Sequence, residues 1–190
     1  MKNANEPVSA VVVGLPTDEA VRVVIGPSYD PDQVLNVIKM MAGTEDMYPA
    51  SVGFIRALFD TRDVDPKTRE MIMLRAAKVL HCRYEWEANA VLAKNIGLSD
   101  LEIEAAGSEG AVSGIHVDYV LICKATDELS VSANLTDATL TELLSRYGDV
   151  VCRKLILIIG WFNLLARFLN GCRVPLEDFE KLNQKTNPLD

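Results

Sequence analysis

At 190 residues, with 49% hydrophobic and 24% charged residues, the chain has the length for one domain with a sizeable core and is too apolar for wholesale disorder. A net charge of −8 with no basic stripe to reverse it locally repels phosphate backbones, so no nucleic acid is expected as a partner. Cys82, Cys123, Cys152 and Cys172 are scattered, without a CxxC or zinc-type pair; this argues against a disulfide scaffold or a structural zinc and makes a reducing cytoplasm the expected setting.

Residues 1–29 mix proline, glycine and β-branched residues (AVVVGLP, VRVVIGPS) without helical periodicity, which predicts an extended arm or a short strand pair. VSAVVVGLP is short, follows only one lysine and lacks a small-residue cleavage site, so it is not read as a signal peptide. From Asp30 the signals turn helical, and 30–190 reads as a single domain. Asp30-Pro31 predicts a cap and first helical position for a helix carrying Val34, Leu35, Ile38 and Met41 and stopping at Gly43.

A second helix is predicted over about 46–60, with Pro49 in its first turn, and Asp65-Pro66 opens a third that runs to about His81. The fourth begins in HCRYEWEAN and ends near Gly97; Ser99-x-x-Glu102 is a capping box for a short fifth. After the GSEGAVSG loop come a helix from about Asp118 to Ser130 and another capped by Thr136 that ends near Tyr147-Gly148. LILIIGWFNLLA lies in an apolar helix from about Val150 to Asn170. Its twelve residues are too few to span a bilayer, so it reads as a core helix and no membrane is expected. Pro175 opens a last short helix. With no βαβ alternation and no solenoid repeat, the fold class is all-α, a bundle of about seven or eight helices.

HCRYEWEAN, residues 81–89, concentrates the chemistry. At about 100° per residue, Glu85, Trp86 and Asn89 fall within roughly 60° of Cys82, and Ala93 and Ile96 continue that inward face. Tyr84 and Glu87 turn away from it. A helix start at Cys82 would also favour its thiolate. On the preceding helix Glu70, Leu74, Ala77 and His81 share a face. Two carboxylates in a poorly hydrated pocket would raise one proton affinity, as in a tuned general acid or base. Each of these residues also has an ordinary reading: Cys82 as a small core residue, Glu70 paired with Arg75 or Arg153, His81 at an exposed helix end. Asn163 needs a buried partner or lines a pocket, and His116 sits in a loop as a lid or surface residue. The two histidines differ in context and there is no HExxH, so no metal is expected.

REMIMLRAAKVLHCRYEWEANAVLAKNIGLSDLEIEAA resembles the core of the carboxymuconolactone decarboxylase family, which includes the AhpD-like proteins, and IIGWFNLLARFLNGCRVPLED is similar to its closing helix. The resemblance covers roughly 35–180. It implies an AhpD-like helical fold, a homo-oligomer (trimer or hexamer) with clefts near subunit contacts, and a small-molecule substrate handled without a cofactor. The thiol branch carries Glu, eleven residues, Cys-x-x-Cys, three residues and His. This chain matches at Glu70 and Cys82 but has Glu85 for the second cysteine and Asn89 for the histidine. A thiol–disulfide cycle needs a resolving thiol, so an AhpD-like reductase using Cys82 is the lesser expectation. The decarboxylase branch resembles Glu-x-x-x-His, matched at Glu85 and not at Asn89.

The expectation is therefore a cofactor-independent acid–base enzyme, a decarboxylase-like lyase or isomerase acting on a small enolisable carbonyl or lactone. Its catalytic candidates are Glu85, Glu70, Cys82, Asn89 and, in place of the family histidine, His81; its substrate-binding candidates are Trp86, Tyr84, Asn163 and His116. An oligomeric binding protein without catalysis is the third reading.

Overall fold

The computed structural model describes residues 11–183 and 185–190. Among them are nine α-helices, one 3₁₀ turn and no strand, which makes the fold all-α. In chain order the helices are α1 (Asp18–Ile25), α2 (Asn36–Ala42), α3 (Tyr48–Phe59), α4 (Pro66–Val79), α5 (Arg83–Asn95), α6 (Asp100–Ala106), α7 (Val117–Ser132), α8 (Asp137–Cys172) and α9 (Phe179–Leu182).

Helix α4 is the centre. Every residue from Arg69 to Ala77 is buried, and α5, α7 and α8 pack around it. Burial on every side of its middle turns puts α4 in an enclosed position, with charged Arg69, Glu70 and Arg75 enclosed along with its apolar residues. Met71, Ile72 and Leu74 are wholly covered, each stabilising the fold by about 1.5–3 kcal/mol relative to exposure. Arg75 survives there because every part of its guanidinium is used. Its Nη2 donates to Asp127 at 2.8 Å and to the Gly110 carbonyl at 2.9 Å, and its Nη1 donates to the carbonyls of Ala106 and Ser108. One side chain thus ties α4 to α7 and to the loop after α6.

Several helix starts follow their local signals: Asp65 with Pro66, the Ser99–Glu102 capping box and the Thr136 cap. Two expectations are corrected. Part of the stretch read as extended, 18–25, is helix α1, capped by Thr17 with Asp18 and Glu19 in its first turn; residues 1–10 lie outside the described residues. Asp30 caps no long helix: its carboxylate accepts from Asp32 N–H in a turn, and α2 begins only at Asn36. The expected break at Gly148 is present: its φ of 70 and ψ of 171 are non-helical and divide α8 into two helical segments, 137–147 and 149–172.

The apolar run lies in the second of these segments, as expected for a helix over about 150–170. Helix α8 is long and apolar enough to cross a membrane by length and composition. In this fold its inner face, including Leu155, Ile158, Ile159, Phe162 and Leu169, is core.

Candidate functional site

The site forms where α4 turns into α5. Helix α4 ends with His81 in the left-handed region (φ 53), while the Cys82 N–H donates to the Ala77 carbonyl at 2.8 Å and the His81 N–H to Lys78 at 3.2 Å. This is a Schellman closure with a histidine at the position glycine usually takes. The turn exposes His81 and swings Cys82 inward as the cap of α5.

Cys82 is almost wholly buried, and its thiol is pushed up to about 12 by burial and by the neighbouring Glu85 carboxyl. The helix start does not yield a thiolate here, because desolvation and a nearby acid outweigh the backbone amides. Cys82, Cys123, Cys152 and Cys172 are all free.

One turn on, Glu85 and Asn89 face a cavity of about 40 Å³, room for roughly three water molecules at about 10–15 Å³ each. The walls are apolar: Leu35, Val37 and Ile38 around α2, Ile55 and Phe59 on α3, Met73 on α4, Ala88 and Leu92 on α5, Trp161, Phe162, Leu165 and Leu169 on α8, and Pro188 of the tail. Glu85 is 3% exposed, and neither carboxyl oxygen has a hydrogen-bond partner. Burial pushes its proton affinity well above the ordinary carboxyl range. Burial therefore favours its protonated form. Asn89 is also buried, and among the described residues its carboxamide has no hydrogen-bond partner. Of the two, it is the Glu85 carboxyl whose buried oxygens lack a partner, which is costly to the fold. Together the two side chains present donors and acceptors to whatever enters.

The remaining candidates are placed differently. Glu70 is completely buried on α4 with both oxygens unpartnered, and burial raises it to about 8. Its nearest charge is Arg69, at 4.0 Å, whose guanidinium also lies over the Phe59 ring. The two expected arginine partners are engaged elsewhere, Arg75 with Asp127 and Arg153 with Asp149. The proton affinity of Glu70 answers to burial and Arg69, that of Glu85 to burial and Cys82, and Glu70 does not line the cavity. The two carboxyls are raised separately rather than by each other.

Tyr84 does not turn away: it is buried and lines the cavity. Its hydroxyl donates to Glu177 and accepts from the Val37 N–H at 3.0 Å, which leaves it tied rather than free for a ligand. Trp86 is half-buried outside the cavity, over Gly107 at the C-terminal cap of α6, so close that an added Cβ there would sit 2.7 Å from its ring. Asn163 joins helices: it donates to Ser130 Oγ on α7 and to the Ile159 carbonyl, and accepts from Arg167. His116 is exposed, capping α7 by accepting from the Asp118 N–H.

His116 lies on a separate cleft of about 460 Å³, together with Asp63, Asp65, Glu102, Asp118, Tyr119 and Tyr147. Arg146 pairs with Asp118 there, and Lys154 with Asp63. Among the described residues no group of three or more His, Cys, Asp and Glu is arranged to hold a metal ion.

Sequence reasoning missed Glu177. It is a half-buried carboxylate from the C-terminal segment that accepts from both Tyr84 and the Asn36 N–H, tying α5 to the start of α2. Ninety-three residues separate Glu177 from Tyr84, and no local pattern links them.

Residues 45–114 match the carboxymuconolactone decarboxylase family. The stretch runs from the turn before α3 to the loop after α6 and contains Glu70, His81, Cys82, Glu85 and Asn89; the wider resemblance over 35–180 extends beyond it. No curated protein matches the chain. The all-α architecture is consistent with an AhpD-like fold. The helix pair α4–α5, with Glu85 and Asn89 on its inner face, lies within the stretch that matches the carboxymuconolactone decarboxylase family.

Proposed function

We propose that the protein is a cofactor-independent acid–base enzyme acting on a small enolisable carbonyl or lactone compound, as a decarboxylase-like lyase or an isomerase, with Glu85 exchanging the proton. The observation that carries this reading is the unpartnered, buried Glu85 carboxyl in an apolar cavity with Asn89 beside it. Desolvation that keeps Glu85 protonated at rest also makes its conjugate carboxylate a strong base. After losing its proton to water, Glu85 takes one from the carbon next to the substrate carbonyl. The Asn89 amide donates to the oxygen as it gains charge, and the Glu85 acid returns the proton to carbon. Asparagine cannot itself exchange a proton near neutral pH, so this division of labour assigns all transfer to Glu85.

The thiol reading finds no support in the surroundings of Cys82, whose thiol holds its proton to about 12. The cytoplasm is the proposed setting, in keeping with four free cysteines. Assembly into a homo-oligomer is proposed on the exposed apolar residues Leu157 and Leu164 of α8.

Glu85→Gln removes the exchangeable proton at nearly constant volume. Against a panel of lactones and unsaturated ketones it should lower turnover about 10²–10⁴-fold with an unchanged circular dichroism spectrum. Equal turnover by wild type and variant would refute the role of Glu85. Binding without any turnover in the wild type would instead identify a binding protein.

A further inference from the structure

Every buried cation among the described residues is held away from the Glu85 cavity. Lys39 binds Asp18 and the Pro31 carbonyl, Arg69 lies over Phe59 beside Glu70, Arg75 is clamped on Asp127, and the Lys185 ammonium donates to the Asp190 carbonyl. None of the four lines the cavity, whose polar groups are Glu85, Asn89 and the already tied Tyr84.

We infer that the substrate is an uncharged molecule and that the reaction is proton relocation within it, an isomerisation that releases no carbon dioxide. This rests on the acid–base reading of Glu85. During transfer to a neutral substrate, one negative charge moves from the Glu85 carboxylate to the enolate oxygen and back. The cavity then carries a single negative charge at every stage, and Asn89 has a hydrogen bond to offer it. Proton and electron pair balance: the C–H bond at one carbon breaks onto Glu85, the double bond shifts, and the same proton forms a C–H bond at the far end of the conjugated system. A substrate carboxylate would bring a charge that no cation among the described residues meets in this small apolar space, and a second negative charge arises once Glu85 ionises for transfer. Such a substrate is disfavoured at binding and further at the proton-transfer step.

The test uses the full-length protein and three related probes: a five-membered β,γ-unsaturated lactone, its carboxymethyl analogue as the carboxylate, and the methyl ester of that analogue. Isomerisation and deuterium uptake in D₂O are followed by proton NMR for wild type and Glu85→Gln. Supporting results are Glu85-dependent isomerisation of the parent lactone, a kcat/KM at least about 100-fold lower for the carboxylate, and recovery of rate with the larger but neutral ester. Glu85-dependent turnover of the carboxylate at an equal or higher rate overturns the inference while the acid–base reading stands. An ester as slow as the carboxylate also overturns it, since size and not charge is then excluded. No Glu85-dependent turnover of any probe counts against both.

Discussion

Glu70 and Glu85 are acids whose surroundings oppose ionisation, and each leaves a mark on stability as well as on chemistry. The folded protein holds a proton on Glu70 up to about pH 8, against an ordinary value of 4.5, because burial outweighs Arg69 at 4.0 Å. Between those limits the folded state binds more protons than the unfolded chain. Stability is therefore fully present below about pH 4.5 and falls as pH rises towards 8, by up to about 1.4 kcal/mol per pH unit for such a group. Glu85 adds to the slope in the same direction. Glu70→Gln should flatten part of this decline and make the protein relatively more stable at pH 8 than at pH 5, read as urea midpoints across that range. Parallel pH profiles for the variant and wild type would contradict it. At this scale the sequence showed that Glu70 and Glu85 sit on buried helix faces. It did not show their separate neighbours, because which guanidinium reaches an acid is decided by helix packing and not by spacing along one helix.

Helices whose ends are capped by their own residues were legible in the chain. Those capped by distant residues were not. Asp65-Pro66, Ser99 with Glu102 and Thr136 act within one turn, so spacing reveals them. The start of α2 has no side-chain cap of its own: the Asn36 N–H donates to Glu177 and the Val37 N–H to the Tyr84 hydroxyl. Two tertiary contacts do the work of a local cap, and they shift the helix start past Asp30-Pro31.

The Gly148 break in α8, by contrast, was legible, because a glycine marks it between two helical patterns. At φ 70 and ψ 171 it occupies a region that is essentially glycine's alone. Gly148→Ala should destabilise the protein by about 1–3 kcal/mol although nothing lies within 4 Å of the added methyl. Gly160, further along the same helix and equally uncrowded, is the control: Gly160→Ala should stabilise by up to about 1 kcal/mol. Thermal melts shifting in the same direction for both would show that the kink carries no backbone strain.

The cavity exists only in the whole fold, since its walls run from Leu35 to Pro188 and its polar pair sits on α5 between them. The sequence could place Glu85 and Asn89 on one inward face, yet it could not supply the α2, α8 and tail residues that dry them. On the outside, Leu157 and Leu164 stand seven residues apart on α8, each 55% exposed. If they form the subunit contact, the wild type should sediment above its chain mass of 20.9 kDa, and a Leu157→Lys, Leu164→Lys double variant should fall towards it. A double variant of unchanged mass would place the contact elsewhere.

The enclosure of Glu85 by these distant segments favours its protonated form, and infrared difference spectroscopy of wild type against Glu85→Gln at pH 7 reads its state directly. A Glu85 kept protonated by the dry cavity requires the variant to lose one carboxylic acid C=O stretch while its carboxylate bands stay unchanged. Loss of a carboxylate band, with every acid C=O stretch retained, would show that Glu85 is ionised at rest and would contradict the tuning on which its catalytic role depends.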